Sequence, residues 1–184
     1  MTPQPAKPRV LIVDDHPTNR LAFEMLLAPL YTVALAGDGR EALDQARKHD
    51  FAVILLDVRM PGMDGYEVAE ILRKDDRTRY TPIVFMSAYD RTDFHARKGY
   101  IAGATDYIFS PVDVELLKYK VSTYVQIYLR NEALWTRVLQ LQETVRDLQR
   151  QLDQDYPIEQ VQRELRSLEN QVAGLKAQLD PVPT

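Results

Sequence analysis

The sequence predicts an α/β protein: a five-stranded, doubly wound parallel sheet with helices on both faces, followed by a C-terminal helical coiled coil. Three observations predict this. Five short apolar runs alternate with helix-period segments over the first 130 residues. The third of them, Phe51–Leu56, is apolar throughout, which suits a strand buried on both faces of a parallel sheet. Beyond that stretch the apolar period changes to a heptad repeat.

The elements follow in order. Residues 1–8, polar and proline-rich, form a flexible tail with no apolar segment of a signal peptide. Val10–Val13 is the first strand and runs into Asp14, Asp15, His16 and Pro17. Pro17 suits a first helical turn, and Leu21, Ala22, Met25 and Leu26 recur at helical spacing until Pro29. Tyr31–Ala36 is the second strand, and Gly37, Asp38 and Gly39 open a helix with Ala42, Leu43 and Ala46 on one face. Phe51–Leu56 is the third strand and ends on Asp57. Asp64 is a good cap for a helix carrying Val68, Ile71 and Leu72. Pro82–Met86, ending in Ser87, is the fourth strand, and a helix is expected around Phe94–Ala102. Thr105–Phe109 is the fifth, ending at Ser110 and Pro111, and a last helix starts near Val112 with Leu117, Val121 and Tyr124 along one side. The sheet domain is bounded at 9–130.

That last helix continues into a seam of Ile127, Asn131, Leu134, Val138, Leu141, Val145, Leu148 and Leu152, spaced 4, 3, 4, 3. Asn131, Val138, Val145 and Leu152 take the a positions and leucines the d positions, a pattern that favours parallel two-stranded coils, with Asn131 fixing register. Trp135 flanks the seam at an e position. Residues 131–152 are thus a coiled-coil helix, and 153–157, with Asp153, Asp155 and Pro157, break it. A second amphipathic helix, 158–180, carries Ile158, Val161, Leu165, Leu168, Val172, Leu175 and Leu179, and 181–184 is a tail. The arms are equal in length, so either an αα-hairpin or a kinked parallel coil of two chains accounts for them. Both give a homodimer.

Composition excludes several classes of function. The 184 residues are 45% apolar, enough for a real core. There is no cysteine, hence no disulfide, thiolate metal site or thiol nucleophile. The net charge is −4; from Asn131 onward there are six basic and nine acidic residues, leaving 17 and 18 before it. Neither part is basic, so no nucleic-acid partner is expected. No apolar run approaches a membrane span, so no membrane partner is expected and the location is read as cytoplasmic.

Chemistry is expected where the strands end, because ligands of open parallel sheets bind outside the carboxyl ends. Asp14, Asp15 and Asp57 end two strands that such a sheet makes neighbours. Crowded carboxylates are relieved by raised pKa values or by a cation, and oxygen ligands select a hard ion such as Mg²⁺. Pairs such as Asp75 and Asp76 are read as surface acids. The three histidines, His16, His49 and His95, are scattered and read as solvated or locally bonded. Met60 and Met63 are read as packing.

The segments VLIVDDHPTNR, LLDVRMPGMDGYE, PIVFMSAYD and GATDYIFSPVD, in this order and spacing over residues 8–130, make the chain resemble the receiver domain of two-component response regulators. The resemblance implies a flavodoxin-like strand order, 2-1-3-4-5. It implies that Asp57 is the phosphoacceptor, served by a sensor histidine kinase or a phosphotransfer protein. Asp14, Asp15, Asp57 and the main-chain carbonyl of Arg59 then hold Mg²⁺, while Ser87 and Tyr107 match the switch hydroxyl and aromatic. One position departs: the lysine before the proline of the last motif is Ser110 here. Arg59 or Arg91 is the expected replacement for its charge. Two functions follow. One is a response regulator that signals through a dimerising coil and protein contacts; the other is an atypical receiver serving as a constitutive dimeric scaffold. Acceptance and slow hydrolysis of a phosphoryl group is the only chemistry expected, so the chain is not read as an enzyme.

Overall fold

A computed structural model describes residues 7–87, 102–152 and 158–179, in two compact units, Met1–Gln126 and Ile127–Thr184. The first unit contains β1 (Arg9–Val13), α1 (Pro17–Leu27), β2 (Thr32–Ala36), α2 (Gly39–Lys48), β3 (Val53–Asp57), α3 (Gly65–Lys74), β4 (Ile83–Ser87) and β5 (Asp106–Phe109). Helix α4 (Val114–Leu152) begins in it, and α5 (Ile158–Leu179) belongs to the second. The strands form one parallel sheet in the order β2-β1-β3-β4-β5. This is the flavodoxin-like order, with the expected strands shifted by at most two residues. The helix expected around Phe94–Ala102 lies, apart from Ala102, outside the described residues, as do Arg91 and His95.

The central strands are apolar on both sides because both sides are covered. Val10–Val13, Val53–Leu56 and Ile83–Phe85 are fully buried. Leu11, Val13, Ile54, Leu56, Ile83 and Phe85 turn to one face, where Ala42 and Ala46 of α2 and Val68, Ala69 and Leu72 of α3 complete a core. Alternation turns Val10, Ile12, Leu55 and Val84 to the other face. The buried Leu27 of α1 and Leu117 and Val121 of α4 supply apolar surface to the rest of the unit. Met60 is buried in the first core and Met63 packs on it, as packing residues.

Two helix faces differ from the periodic reading. Leu21 and Met25 are exposed, at 57% and 71%, and the inward side of α1 is instead Phe23 and Leu27. Ile71 is likewise exposed, and Ala69 takes the inward position on α3. Both helices are apolar at more positions than one stripe needs, so spacing alone leaves the phase open.

Helix ends are fixed by local hydrogen bonds. The Glu41 amide donates to the Asp38 carboxylate (2.8 Å), and Asp64 and Glu67 form a reciprocal capping box at the start of α3. At the other end of α3, Arg73 donates through its guanidinium to the carbonyls of Thr78, Arg79, Thr81 and Gly103 at 2.6–3.3 Å. Gly103 has φ +100, and a Cβ there would stand 2.6 Å from Arg73 Cγ, so the close approach needs glycine.

In the second unit, α4 and α5 fold back on each other. Gln142, Val145, Arg146 and Gln149 share a groove with Glu169, Val172, Ala173 and Lys176, which one continuous rod would hold far apart. The hairpin alternative is therefore the one this chain adopts. Its seam is the least exposed stripe of both helices: Val138 and Leu141 are buried, and Leu134, Val145, Leu148, Val161, Leu165, Leu168, Val172 and Leu175 are half-buried. Ile127, Asn131 and Ile158, expected in the seam, are exposed instead, as is the flanking Trp135, so the buried stripe is shorter than the heptad pattern predicts. Residues 153–157 lie outside the described residues. Among the described residues no helix is long and apolar enough to cross a membrane.

Ile54 is fully buried between the central sheet and the α2–α3 layer. Truncation to alanine removes buried methyl groups and leaves a cavity, at a cost of about 2–5 kcal/mol. Ile54→Ala is expected to lower the urea midpoint without changing the m-value, which equilibrium unfolding checks.

Candidate functional site

A cleft of about 550 Å³ opens at the carboxyl ends of the strands, lined by Asp14, His16, Asn19, Phe23, Asp57, Arg59, Met86, Ser87, Ser110 and Val112. The pairing of β1 with β3 sets Val13 opposite Leu56, so Asp14 and Asp57 leave the sheet side by side. Ser87 ends β4 on the next strand, where β3 pairing sets Asp57 opposite Met86.

Asp14 is buried, and its carboxylate accepts three hydrogen bonds from two donors. The His16 amide donates to Oδ1 at 2.8 Å, and Asn19 Nδ2 donates to both oxygens at 3.0 and 3.2 Å. Arg20 donates to the Asp14 carbonyl at 2.5 Å, so the first turn of α1 fixes the residue at both ends. Asp57 accepts from the Arg59 amide at 3.2 Å. Its pKa is raised above the ordinary carboxylate value, first by burial and then by the charges of Asp14 and Asp15, with the Arg59 amide opposing.

Glycine is required beside the acceptor strand. The Gly65 amide donates to the Val58 carbonyl at 3.0 Å, and a Cβ on Gly65 would meet the Asp57 carbonyl oxygen at 2.2 Å. Gly62, at φ +83, turns the loop between them.

The sequence-predicted residues fall into three places. Asp14, Asp57, Arg59, Ser87 and Ser110 share the cleft. Asp15 does not line it, but a carboxylate oxygen of Asp15 lies within 4.8 Å of ligand atoms of Asp14 and His16. Tyr107 is buried in the sheet, 5.4 Å from Phe85 and stacked at 5.8 Å on Phe109, with a side-chain hydrogen bond to Tyr66. Ser110 is exposed, and its amide donates to the Ser87 carbonyl at 2.8 Å.

His16 is largely solvated and locally bonded, as expected, but its place beside the acids was not legible from spacing. The chain turns at the cap of α1, and this brings His16 Nδ1 to 2.7 Å from Asp15 Oδ1. Asn19 was also absent from the reading; its position five residues beyond Asp14, on the first turn of a helix, was its signal. His49 instead stands edge-on to Phe51, 6.4 Å away. The donors are dominated by oxygen, and the charges of Asp14 and Asp15 add to burial in raising the Asp57 pKa. Asp14 and Asp15 bring ligand atoms within 4.8 Å of one another and of His16, while Asp57 shares the cleft with Asp14 without joining that group; the acids are compatible with a hard divalent ion.

Residues 10–122, more than half of the chain, match the response regulator receiver domain family. The chain is a response regulator receiver. It is 38% identical over 122 residues to the response regulator PleD of Caulobacter vibrioides, covering 66% of this chain and 27% of that one. It is 34% identical over 137 residues to a probable cyclic di-GMP phosphodiesterase of Vibrio cholerae, covering 71% and 31%. The chain thus spans less than a third of either relative. Among solved structures, the Vibrio cholerae chemotaxis protein CheY4 superposes with a TM-score of 0.62 at 33% identity, over 65% of this chain and 99% of that one. The receiver domain of the Pseudomonas aeruginosa sensor histidine kinase PA1611, described with a magnesium ion in its active-site cleft, gives 0.61 at 29% identity, over 66% and 99%.

The raised Asp57 pKa has a direct consequence for stability. A carboxyl whose folded pKa is raised contributes stability fully below the unfolded pKa and loses it as pH rises through the folded value. In metal-free buffer at pH 7, Asp57→Asn is therefore expected to be more stable than the parent. Its advantage shrinks toward pH 4, which urea unfolding at several pH values measures.

Proposed function

We propose that this receiver accepts a phosphoryl group on Asp57 from a sensor histidine kinase or phosphotransfer protein, in the cytoplasm. The observation that carries the reading is the convergence of Asp57, Asp14, Ser87 and Arg59 on one cleft of a receiver domain. In the step, an Asp57 carboxylate oxygen attacks phosphorus, the P–N bond of the phosphohistidine breaks, and its electron pair stays on the imidazole. Asp14, Asp15, Asp57 and the Arg59 main-chain carbonyl would hold Mg²⁺, which would supply charge neutralisation for the phosphoryl oxygens. Ser87 donates its hydroxyl to the new phosphoryl group, and Tyr107 reports the resulting loop movement through the β5 core.

Ser110 weakens that readout. A serine supplies one neutral hydrogen bond where a lysine supplies a charge-assisted one, worth about 1.5–3 kcal/mol. Arg59, already on the cleft wall, supplies the replacement charge. The scaffold reading draws its support from the same residue: a receiver with a weakened trigger keeps its assembly whether or not Asp57 is modified.

Assembly is assigned to the hairpin. Two helices pressed together bury one stripe each, and most of the seam stays half-exposed in the single chain. A second hairpin packed on the first makes a homodimer that covers it.

Three measurements check these assignments. Incubation with acetyl phosphate and Mg²⁺ is expected to add one phosphoryl group by intact mass, lost in Asp57→Asn; absence of incorporation overturns the acceptor role. Ser110→Lys is expected to accelerate incorporation by about tenfold or more, and Arg59→Gln to slow it, from the strength of a charge-assisted contact. Sedimentation is expected to give a dimer that Leu165→Glu with Leu168→Glu dissociates, and a monomeric parent overturns the assembly.

A further inference from the structure

We propose that His16 makes this cleft a mixed oxygen and nitrogen metal site, giving it a preference for borderline divalent ions such as Ni²⁺, Co²⁺ and Zn²⁺ that its carboxylates alone do not provide. The inference rests on the reading that these acids hold a divalent ion. Asp14, Asp15 and His16 are consecutive, and one ligand atom from each lies within 4.8 Å of the others. His16 Nδ1 is 2.7 Å from Asp15 Oδ1 and 3.6 Å from Asp14 Oδ1. Two neighbouring ligands bound about 2.1 Å from one octahedral ion sit about 3.0 Å apart, and the two observed separations bracket that spacing.

The ring is also held for the purpose. Its own amide donates to Asp14 Oδ1 at 2.8 Å, and Asn19 fixes the same carboxylate, so the turn that presents Nδ1 is braced on the acid it joins. His16 lines the cleft with Asp14 and Asp57 while its side chain is 67% exposed, so a ligand reaches it without burying an imidazole. Carboxylates suit Mg²⁺, whereas imidazole nitrogen suits Zn²⁺, Co²⁺ and Ni²⁺, and affinity for those ions rises with each nitrogen donor. One nitrogen beside the oxygens therefore raises borderline-ion affinity and leaves Mg²⁺ affinity nearly unchanged.

The test is isothermal titration of the untagged full chain with Mg²⁺ and, separately, with Ni²⁺, comparing the parent with His16→Gln and with His49→Gln as control. His16→Gln is expected to lose about tenfold or more in Ni²⁺ affinity with its Mg²⁺ affinity within about twofold, and the control to lose neither. The visible bands of bound Co²⁺ are expected to shift in His16→Gln, because a nitrogen donor has been removed. An equal Ni²⁺ to Mg²⁺ affinity ratio in parent and His16→Gln, with unshifted Co²⁺ bands, overturns the inference and leaves the carboxylate site intact. Ni²⁺ binding through His16 without Mg²⁺ binding supports the inference and overturns the Mg²⁺ assignment; binding of neither ion overturns both.

Discussion

Negative charge crowded at the ends of two adjacent strands is the constraint from which the rest of this receiver follows. Parallel pairing of β1 with β3 puts Asp14 beside Asp57, and nothing in the sheet can move them apart without losing the core register. Burial first, and then the like charge of Asp14 and Asp15, raise the Asp57 pKa, so the ionised carboxylate is disfavoured in the folded chain. Asn19 and the His16 amide spend their hydrogen bonds on Asp14, the more buried acid, and leave Asp57 the more open one.

The same crowding explains why the surrounding backbone is so closely fitted. Gly65 lets the start of α3 lie against the Asp57 carbonyl, and the Asp64–Glu67 capping box anchors that helix end. The main chain of Asp57 is therefore clamped while its carboxylate lines the cleft.

Much of this was legible in the sequence because strands buried on both faces write themselves as unbroken apolar runs closed by polar residues. Phe51–Leu56 ending on Asp57 is the clearest case, and the strand order followed from the resemblance its motifs carry. The α1 face was not legible: LAFEMLL is apolar at nearly every position, and only the packing of Phe23 and Leu27 chooses a phase. His16 was legible as a solvated, locally bonded ring, but spacing along the chain does not reveal that a ring two residues past a buried acid lies against both acids. The heptads of Asn131–Leu152 and Ile158–Leu179 read identically for a hairpin and for a parallel coil, so spacing alone leaves the choice open. Neither Ser87 nor Tyr107 was distinguishable from a cap and a core aromatic by local pattern; the coordinated motifs singled them out.

Arg73 ties the loop after α3 to the residues leading into β5, at the end of the sheet opposite the cleft. Its guanidinium, partly stripped of water, holds four main-chain carbonyls that no flexible lysine could hold in that geometry. The end of the sheet away from the cleft is in consequence pinned by a single side chain, and the spacing of the α3, β4 and β5 connections there depends on it.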